Sequence, residues 1–282
     1  MGAFGLPRRD QQNRAKFWVD EEIGGVSLLR AEFGTMTFPR HVHSELVIAV
    51  TEEGVGRCVT RGVSDVGTPR SIMVFNPGEP HAGGVAGDAG WRYWGLYVTE
   101  PTYKTIWGNL SQRAAPAPYF SDSVVNDAEL AALLVQAHLA LETRDARMIR
   151  ESLFIAGVAK LLQRHSQPKP ELPRLGHEQR PILRAVDYMR ANLARDLSIE
   201  ELALQAGLSP FHFVRCFKKV IGLPPHAYLS QLRLNQARNL LAFGKTPATV
   251  ALAVGFYDQS HLIKHFKRTY GITPGQYAAA LV

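Results

Sequence analysis

Three histidines in the first third of the chain have the spacing of a small polar site. His41 and His43 stand two residues apart in an alternating segment, so both imidazoles are predicted on one face of a strand. His81 follows a Pro-Gly turn and adds an imidazole from a second strand. Three such ligands can hold a divalent metal and leave coordination positions open. The same residues can instead line an effector pocket directly, or serve only as hydrogen-bonded structural groups.

The His-x-His pair with the later Gly-x-x-His resembles the metal motif of the cupin barrel, which implies a small antiparallel barrel with a possible divalent metal. The chain departs from that motif. Val47 and Ile48 stand where a cupin has its glutamate, Glu45 comes too early although it shares the inward face, and no partner Asn follows His81. A cupin metalloenzyme of the dioxygenase or isomerase type, with an accessory helical domain, is therefore an alternative that the missing glutamate disfavours.

Short apolar or alternating runs, separated by Gly, Pro and Asp, surround these histidines. They predict strands over 26–33, 45–51, 56–61, 71–75 and 92–99. Many short strands with frequent turns favour an antiparallel barrel or sandwich. Trp91, Tyr93 and Tyr97 alternate along one run and are predicted as aromatic walls of a pocket. The predicted effector-binding residues are His41, His43, Glu45, His81, Trp91 and Tyr93.

The sequence pattern changes from strands to helices after residue 122. Apolar residues at helical spacing predict amphipathic helices over 129–141 and 146–163, and the proline-rich segment 166–180 is predicted as a linker. Helices are then predicted over 181–193, 198–206, 210–221, 225–243, 247–254 and 259–270. We therefore predict a two-domain α+β protein. Residues 1–165 form a cupin-like antiparallel β-barrel followed by helices, and 181–282 form an all-α domain.

The positive charge of the chain lies in its helical half. The 282 residues carry a formal net charge of +7, yet residues 1–165 hold 17 Lys+Arg against 18 Asp+Glu, whereas residues 166–282 hold 15 against 7. A basic half beside a neutral half predicts a polyanionic partner for the former. Two isolated cysteines exclude a disulfide framework, and no signal peptide or membrane-spanning run is evident. These features predict a cytoplasmic protein without a membrane partner.

The basic half contains an internal repeat. Residues 201–228 match 249–277, first at an offset of 48 and then at 49, with the change at a turn. Each copy has a short helix, a glycine suited to the left-handed conformation, a polar capping residue and a second helix. This layout predicts two helix-turn-helix units, whose second helices each present a polar face of the kind that enters a major groove.

Residues 182–280 resemble the DNA-binding domain of AraC/XylS-type transcription regulators, above all in AVGFYDQSHLIKHFKRTYGITPGQY at 253–277. The resemblance implies two helix-turn-helix units joined by a long helix, with both recognition helices in successive major-groove segments. It also implies base contacts by Phe211, His212, Arg215, Gln259, Ser260, His261 and Lys264. Lys218 and Lys267 stand further along the two helices and are predicted to contact phosphates.

Together these features predict a ligand-responsive transcription regulator and not an enzyme. A small-molecule effector would bind in the barrel and alter how the two recognition helices are presented to double-stranded DNA. The family resemblance further implies an activator that acts with RNA polymerase, and a homodimer formed through residues 129–163. An architectural DNA-binding protein without an effector is a third possibility, which the elaborate first domain disfavours.

Overall fold

The computed structural model describes residues 13–110, 116–170, 179–270 and 272–279. It divides into two compact units. One comprises Met1–Asp145 and Leu153–Pro173, and the other comprises Ala146–Ser152 and Arg174–Val282. The second unit therefore includes a short stretch, 146–152, that the sequence analysis places in the first domain.

The first unit is built on two antiparallel sheets. Its strands are β1 (Asn13–Val19), β2 (Val26–Phe33), β3 (Thr37–His41), β4 (Leu46–Gly54), β5 (Gly56–Thr60), β6 (Val63–Gly67), β7 (Ile72–Phe75), β8 (His81–Val85), β9 (Trp91–Val98) and β10 (Val124–Val125). One sheet has the order β1-β2-β9-β4-β7-β10, and the other has the order β3-β8-β5-β6. All five predicted strands are present, with ends shifted by at most three residues.

The core of the first unit lies between the two sheets. Buried side chains from the larger sheet, such as Phe33 and Val47, pack in one cluster with Cys58 from the smaller sheet. Burial alternates along β5, as expected of a strand with one face in a core. Burial also raises the pKa of the Cys58 thiol to about 11, so Cys58 serves as a small apolar core residue. The predicted N-terminal antiparallel sheet domain is confirmed.

Three helices accompany the sheets: α1 (Glu100–Leu110), α2 (Ala128–Glu142) and α3 (Arg147–His165). Asp127 caps α2 by accepting a 3.0 Å hydrogen bond from the Leu130 N–H. α2 packs on β9 and β4 and buries Leu134 and Leu141. α2 and α3 confirm the two predicted amphipathic helices. α1 was not predicted, although its buried residues Tyr103, Ile106, Trp107 and Leu110 stand at helical spacing.

The segment after α3 begins as part of the first unit. Gln167 pairs with Tyr119 through backbone N···O distances of 3.0 and 2.7 Å, and Ser166 is buried. The first residues of the predicted linker are thus fixed by hydrogen bonds. Residues 171–178, the middle of that linker, lie outside the described residues.

The second unit is helical. Besides the first residues of α3 it contains α4 (Gln179–Ala191), α5 (Ile199–Ala206), α6 (Pro210–Ile221), α7 (Pro225–Ala242), α8 (Pro247–Ala253), α9 (Gln259–Tyr270) and α10 (Pro274–Ala279). The six helices predicted here are confirmed, and the short α10 was not predicted. Among the described residues of the whole chain, no helix is long and apolar enough to cross a membrane.

The internal repeat is visible in the caps of the helices. Ser198 before α5 and Thr246 before α8 each accept a hydrogen bond from the backbone N–H three residues further on. Gly207 and Gly255 follow these helices with φ of +66° and +86°. Left-handed backbone of this kind favours glycine, because a side chain there is strained. The first helix of each copy therefore begins at an equivalent capping residue and is followed by a glycine in the left-handed conformation.

His138 on α2 is a buried histidine that the fold keeps neutral. It has no exposed surface, its Nε2 donates to the Leu29 carbonyl at 3.2 Å, and its ring meets the edges of Trp18 and Trp94. Burial lowers its pKa to about 4, although the hydrogen bond to Leu29 opposes that shift. Protonation of this ring therefore opposes folding.

We predict that the first unit loses stability as the pH falls from about 6.5 towards 4, because the unfolded chain binds the His138 proton first. The loss attributable to His138 is about 2 kcal/mol at pH 5. Denaturant unfolding at pH 7.5 and pH 5, for the wild type and His138→Gln, measures it. Glutamine retains a donor for Leu29 and does not titrate, so its loss should be smaller by that amount. Equal losses in the two proteins would contradict this assignment.

Candidate DNA-binding face and histidine site

The two predicted recognition helices, α6 and α9, begin at equivalent capping residues. Ser209 accepts a hydrogen bond from the His212 N–H at 3.4 Å, and Asp258 accepts one from the His261 N–H at 2.7 Å. Each cap satisfies a backbone donor that the helix leaves open and fixes where the helix starts. Both residues stand where the repeat predicts a polar capping residue, and that prediction is confirmed.

Each recognition helix is also fixed in rotation by a buried phenylalanine. Phe217 on α6 and Phe266 on α9 have no exposed surface. Phe217 contacts Tyr228, and Phe266 contacts Tyr277, with ring centroids 5.6 Å apart in both pairs. Because these four residues match in the repeat, the two helices turn equivalent sides outward.

The outward side of α9 is polar and basic. Leu262 and Phe266 are buried on the opposite side. Ser260, Lys264 and Lys267 are exposed and follow the i, i+4, i+7 spacing of one helix face. Gln259 is exposed as the first residue of the helix, on the row of Leu262 and Phe266. The Gln259 amide, the Ser260 hydroxyl and the Lys264 ammonium lie in the first half of the helix. Lys267 lies in its last turn. This face can donate hydrogen bonds to base edges and neutralise a phosphate.

His261 lies apart from that face. It is half-buried, its Nε2 is 3.0 Å from Nε2 of His265, and its ring meets the edge of Phe256 with centroids 5.3 Å apart. Phe256 belongs to the buried core around α7, α8 and α9. His261 therefore packs towards that core, unlike the other residues predicted to read bases on α9.

The corresponding side of α6 is less exposed. Phe211, His212 and Arg215 are half-buried, whereas Lys218 and Lys219 in the last turn are exposed. The first three share a side of the helix with Lys218, as their spacing predicts. Lys218 occupies the position that Lys267 occupies on α9. The two helices thus place ammonium groups alike and differ in the residues before them.

The three histidines of the first unit are brought together. His41 and His81 are direct partners across β3 and β8, with ring centroids 4.4 Å apart. The His43 ring lies 4.8 Å from the His41 ring and 5.2 Å from the His81 ring. One ring nitrogen from each residue lies within 4.8 Å of the others. In the part of the chain that the structure describes, no other group of three metal-binding side chains is as compact.

A turn, and not strand alternation, brings His43 to this cluster. β3 ends at His41, so the prediction that both imidazoles share a strand face is wrong. The Gly78 N–H donates to the His43 carbonyl at 2.7 Å, and Gly78 adopts φ of +71°. The Pro-Gly turn that precedes His81 therefore also anchors His43.

Backbone carbonyls fix the proton positions on two of the rings. Nδ1 of His41 lies 2.7 Å from the Pro39 carbonyl, and Nδ1 of His81 lies 2.9 Å from the Glu79 carbonyl. Carbonyls only accept, so both Nδ1 atoms carry the proton and both Nε2 atoms keep a lone pair. Nε2 of His41 accepts from Nε2 of His43 at 3.1 Å. Burial lowers the pKa of His43 and of His81, which favours neutral rings.

Polar residues that the sequence analysis missed, among them the buried Asn76, hold the loop that precedes His81. Asn76 Nδ2 donates to the Glu79 carboxylate and to the Phe120 carbonyl, both at 2.9 Å. Arg61 Nε lies 3.1 Å from the other Glu79 oxygen. The carbonyl that orients His81 is thereby fixed. The position of Asn76 directly before the Pro-Gly turn was the only signal available in the sequence.

Aromatic rings surround the histidine cluster. Phe75 stacks on His81 with centroids 4.2 Å apart and planes 12° apart, and Tyr97 meets the edge of His43 at 5.3 Å. Tyr97, one of the three aromatic residues of the alternating run, therefore contacts the histidine cluster. Glu45 is half-buried and accepts a hydrogen bond from Ser44 at 3.0 Å. Its carboxylate is not among the compact group of potential metal ligands.

Trp91 and Tyr93 lie nearer the other end of β9. Their rings stack on each other at 4.2 Å, and the Trp91 indole N–H donates to Thr51 at 3.2 Å. Trp91 borders an open cleft of about 640 Å³, whose charged lining residues are Arg14, Glu32, Glu53, Asp88 and Arg92. The predicted effector-binding set is therefore divided between the histidine cluster and the far end of the strand.

Comparison with known proteins identifies both units. A model described as "Helix-turn-helix domain" matches residues 202–280, and one described as "AraC-like ligand binding domain" matches residues 23–158. The fold and these matches define a DNA-binding transcription regulator with a ligand-binding domain. The chain belongs to the AraC family of transcriptional regulators.

Relatives span most of the chain. The uncharacterized HTH-type transcriptional regulator YbfI of Bacillus subtilis is 29% identical over 229 residues, which are 80% of this chain and 81% of that protein. The arabinose operon regulatory protein of Escherichia coli is 26% identical over 236 residues, which are 83% and 80% of the two chains. A solved structure, the DNA-binding domain of AdpA with a target DNA, is 32% identical, has a TM-score of 0.35, and covers 36% of this chain and 91% of that one.

Proposed function

We propose that both recognition helices of this regulator contact one DNA duplex, with residues 181–282 as the DNA-binding domain. The observation that carries the proposal is the match between α6 and α9, whose caps, buried phenylalanines and terminal lysines occupy equivalent positions. Two equivalent helices in one chain suit two successive major-groove segments. Arg215 and Lys264 suit guanine, and Lys218 and Lys267 suit phosphates.

We propose that residues 1–165 bind a small-molecule effector and that the histidine cluster takes part in that binding. The supporting observation is a compact cluster of three imidazoles set among aromatic rings. Polar groups placed in aromatic surroundings are typical of small-molecule sites. For the effector to control DNA binding, its affinity must differ between the two states of the regulator.

We further propose that the effector site of this cluster includes a divalent metal. Imidazole donors suit first-row transition metals, which bind at about 2.0–2.1 Å from nitrogen. Nε2 of His41 and of His81 would serve as ligands, since their Nδ1 protons are held by carbonyls. His43 would supply the third nitrogen after moving its proton to Nδ1. Such a metal would offer open positions to an effector with oxygen or nitrogen donors.

The remaining assignments follow from the family and are our proposals. The protein acts as an activator with RNA polymerase, resides in the cytoplasm where its DNA target lies, and performs no catalysis. We also propose a homodimer formed through α2 and α3. Most of the apolar side chains predicted for that contact, among them Leu134 and Val158, are buried within the chain itself. The half-exposed Leu133 and Ile155 and the exposed Leu139 are left for a partner.

Selection of bound fragments from genomic DNA, followed by footprinting, tests the main proposal. We expect a footprint that covers two successive major-groove segments on one face of the duplex. Thermal unfolding in a screen of metabolites, with and without divalent metals, then identifies the effector. A protein that selects no DNA fragment would contradict the DNA-binding proposal.

We predict that Arg215→Ala and Lys264→Ala each cost about 1–3 kcal/mol of binding free energy at the selected site and relax base selectivity. Lys267→Ala should weaken binding to all sequences alike and reduce the slope of log affinity against log salt by about 1. Titrations with specific and scrambled duplexes at several salt concentrations measure both effects. Lys104→Ala, on the exposed side of α1, is the control. Unchanged affinity and selectivity of Arg215→Ala would refute its role.

We predict that the purified chain, stripped of metal by a chelator, binds one Co²⁺ or Zn²⁺ per chain. His43→Gln or His81→Gln should weaken that binding at least about 100-fold, since even outer-shell partners of metal ligands cost about 10–100-fold. Calorimetry and the visible spectrum of Co²⁺ provide the measurements, and His165→Gln is the control. Metal binding that persists in the double variant His43→Gln/His81→Gln would place the metal elsewhere.

A further inference from the structure

Arg233, in the middle of the long helix α7, is a buried charge held by backbone groups. It is 6% exposed. Its Nε donates to the Leu193 carbonyl at 2.9 Å, and its Nη2 donates to the Arg195 carbonyl at 2.7 Å. Both carbonyls belong to the turn that follows α4. A buried guanidinium is costly unless its donors are paired, so these two bonds tie α7 to the end of α4.

Gly255, in the turn of the second helix-turn-helix unit, packs on the same two groups. A Cβ at this position would lie 2.4 Å from the Leu193 carbonyl oxygen and 2.9 Å from the Arg233 guanidinium. Contacts that short do not occur, so the approach requires glycine. A Cβ at the equivalent Gly207 in the first unit would meet nothing within 4 Å apart from its neighbours in the chain. The two copies of the repeat therefore differ in the packing of their turn glycines.

Three parts of the DNA-binding domain meet at this contact. α4 packs against α5 and α6, and so belongs with the first helix-turn-helix unit. α7 connects the two units along the chain, and Gly255 stands four residues before the start of α9. A displacement at Arg233 would therefore move α9 relative to α6. Backbone-to-backbone approach of this kind leaves little room for such a displacement, because packed interiors are not easily deformed.

We propose that Arg233 and Gly255 form a positioning contact that fixes the separation and angle of the two recognition helices. Neither residue lies on the outward face of α6 or α9. The contact would thus set which spacing of two DNA segments the protein can bind at once. This inference rests on the proposed function, in which both helices read one duplex. Once the first recognition helix is bound, the second helix is held close to its own DNA segment only if the spacing of the two segments matches the spacing of the helices. A fixed geometry therefore raises the effective concentration of the second helix only on DNA with that spacing.

The test uses the full chain and its selected duplex, with one base pair added or removed between the two recognised segments. Either change shifts the second segment by about 3.4 Å and rotates it by about a tenth of a turn. We expect the wild type to lose about tenfold or more in affinity for the altered spacings. Arg233→Gln, Arg233→Lys and Gly255→Ala should bind the natural spacing more weakly and show a spacing penalty reduced to about twofold or less.

Two controls separate positioning from general damage. Gly207→Ala introduces the same left-handed strain without touching Arg233, so it should keep the full spacing penalty. A duplex with one segment scrambled should bind the wild type and the folded variants alike, since each helix remains intact. Circular dichroism and thermal unfolding identify which of the three variants are folded.

An unchanged spacing penalty in the folded variants would overturn the proposal, as would an equal reduction in Gly207→Ala. If the wild type itself shows no spacing penalty although both segments are protected, the positioning role is also excluded. Absence of a second protected segment would instead contradict the proposed function.

Discussion

Burial of an equivalent phenylalanine on each recognition helix is the constraint on which the DNA-binding unit depends. Phe217 and Phe266 each lie against a tyrosine from the following helix, at equal ring distances. Because an apolar ring of this size strongly favours burial, it sets the rotation of its helix. The residues that remain outside then form the polar face. Ser209 and Asp258 cap the two helices, so the residue at which each helix begins is fixed as well as its rotation.

The sensor unit follows a different logic, because its site depends on loops and not on helix faces. The turn at Gly78 holds His43 by one backbone hydrogen bond, and Asn76 with Arg61 holds Glu79, whose carbonyl orients His81. The positions of His43 and His81 are therefore set by groups outside the three-histidine cluster. Burial also lowers the pKa of His138, which lies on α2 outside this cluster, so we expect acid to destabilise the unit.

Most of the fold was predictable because local patterns repeat. Short alternating runs predicted the strands, and the 48–49-residue repeat predicted both helix-turn-helix units with their caps. The predictions that failed or missed needed contacts distant in sequence. His43 reaches the cluster through a hydrogen bond from Gly78, and the missed Asn76 holds the loop before His81 by donating to Phe120, 44 residues further along the chain. No local periodicity records such contacts.

The sequence by itself determined that the chain has a sheet-rich sensor part and a basic helical part with two related DNA-reading helices. Periodicity, charge and repetition are local properties, and they survive in the unfolded chain. Tertiary structure alone decided which histidine nitrogens converge. It also decided that Gly255, unlike its repeat partner Gly207, packs on Arg233. These outcomes depend on close packing between segments far apart in sequence, and close packing exists only in the folded molecule.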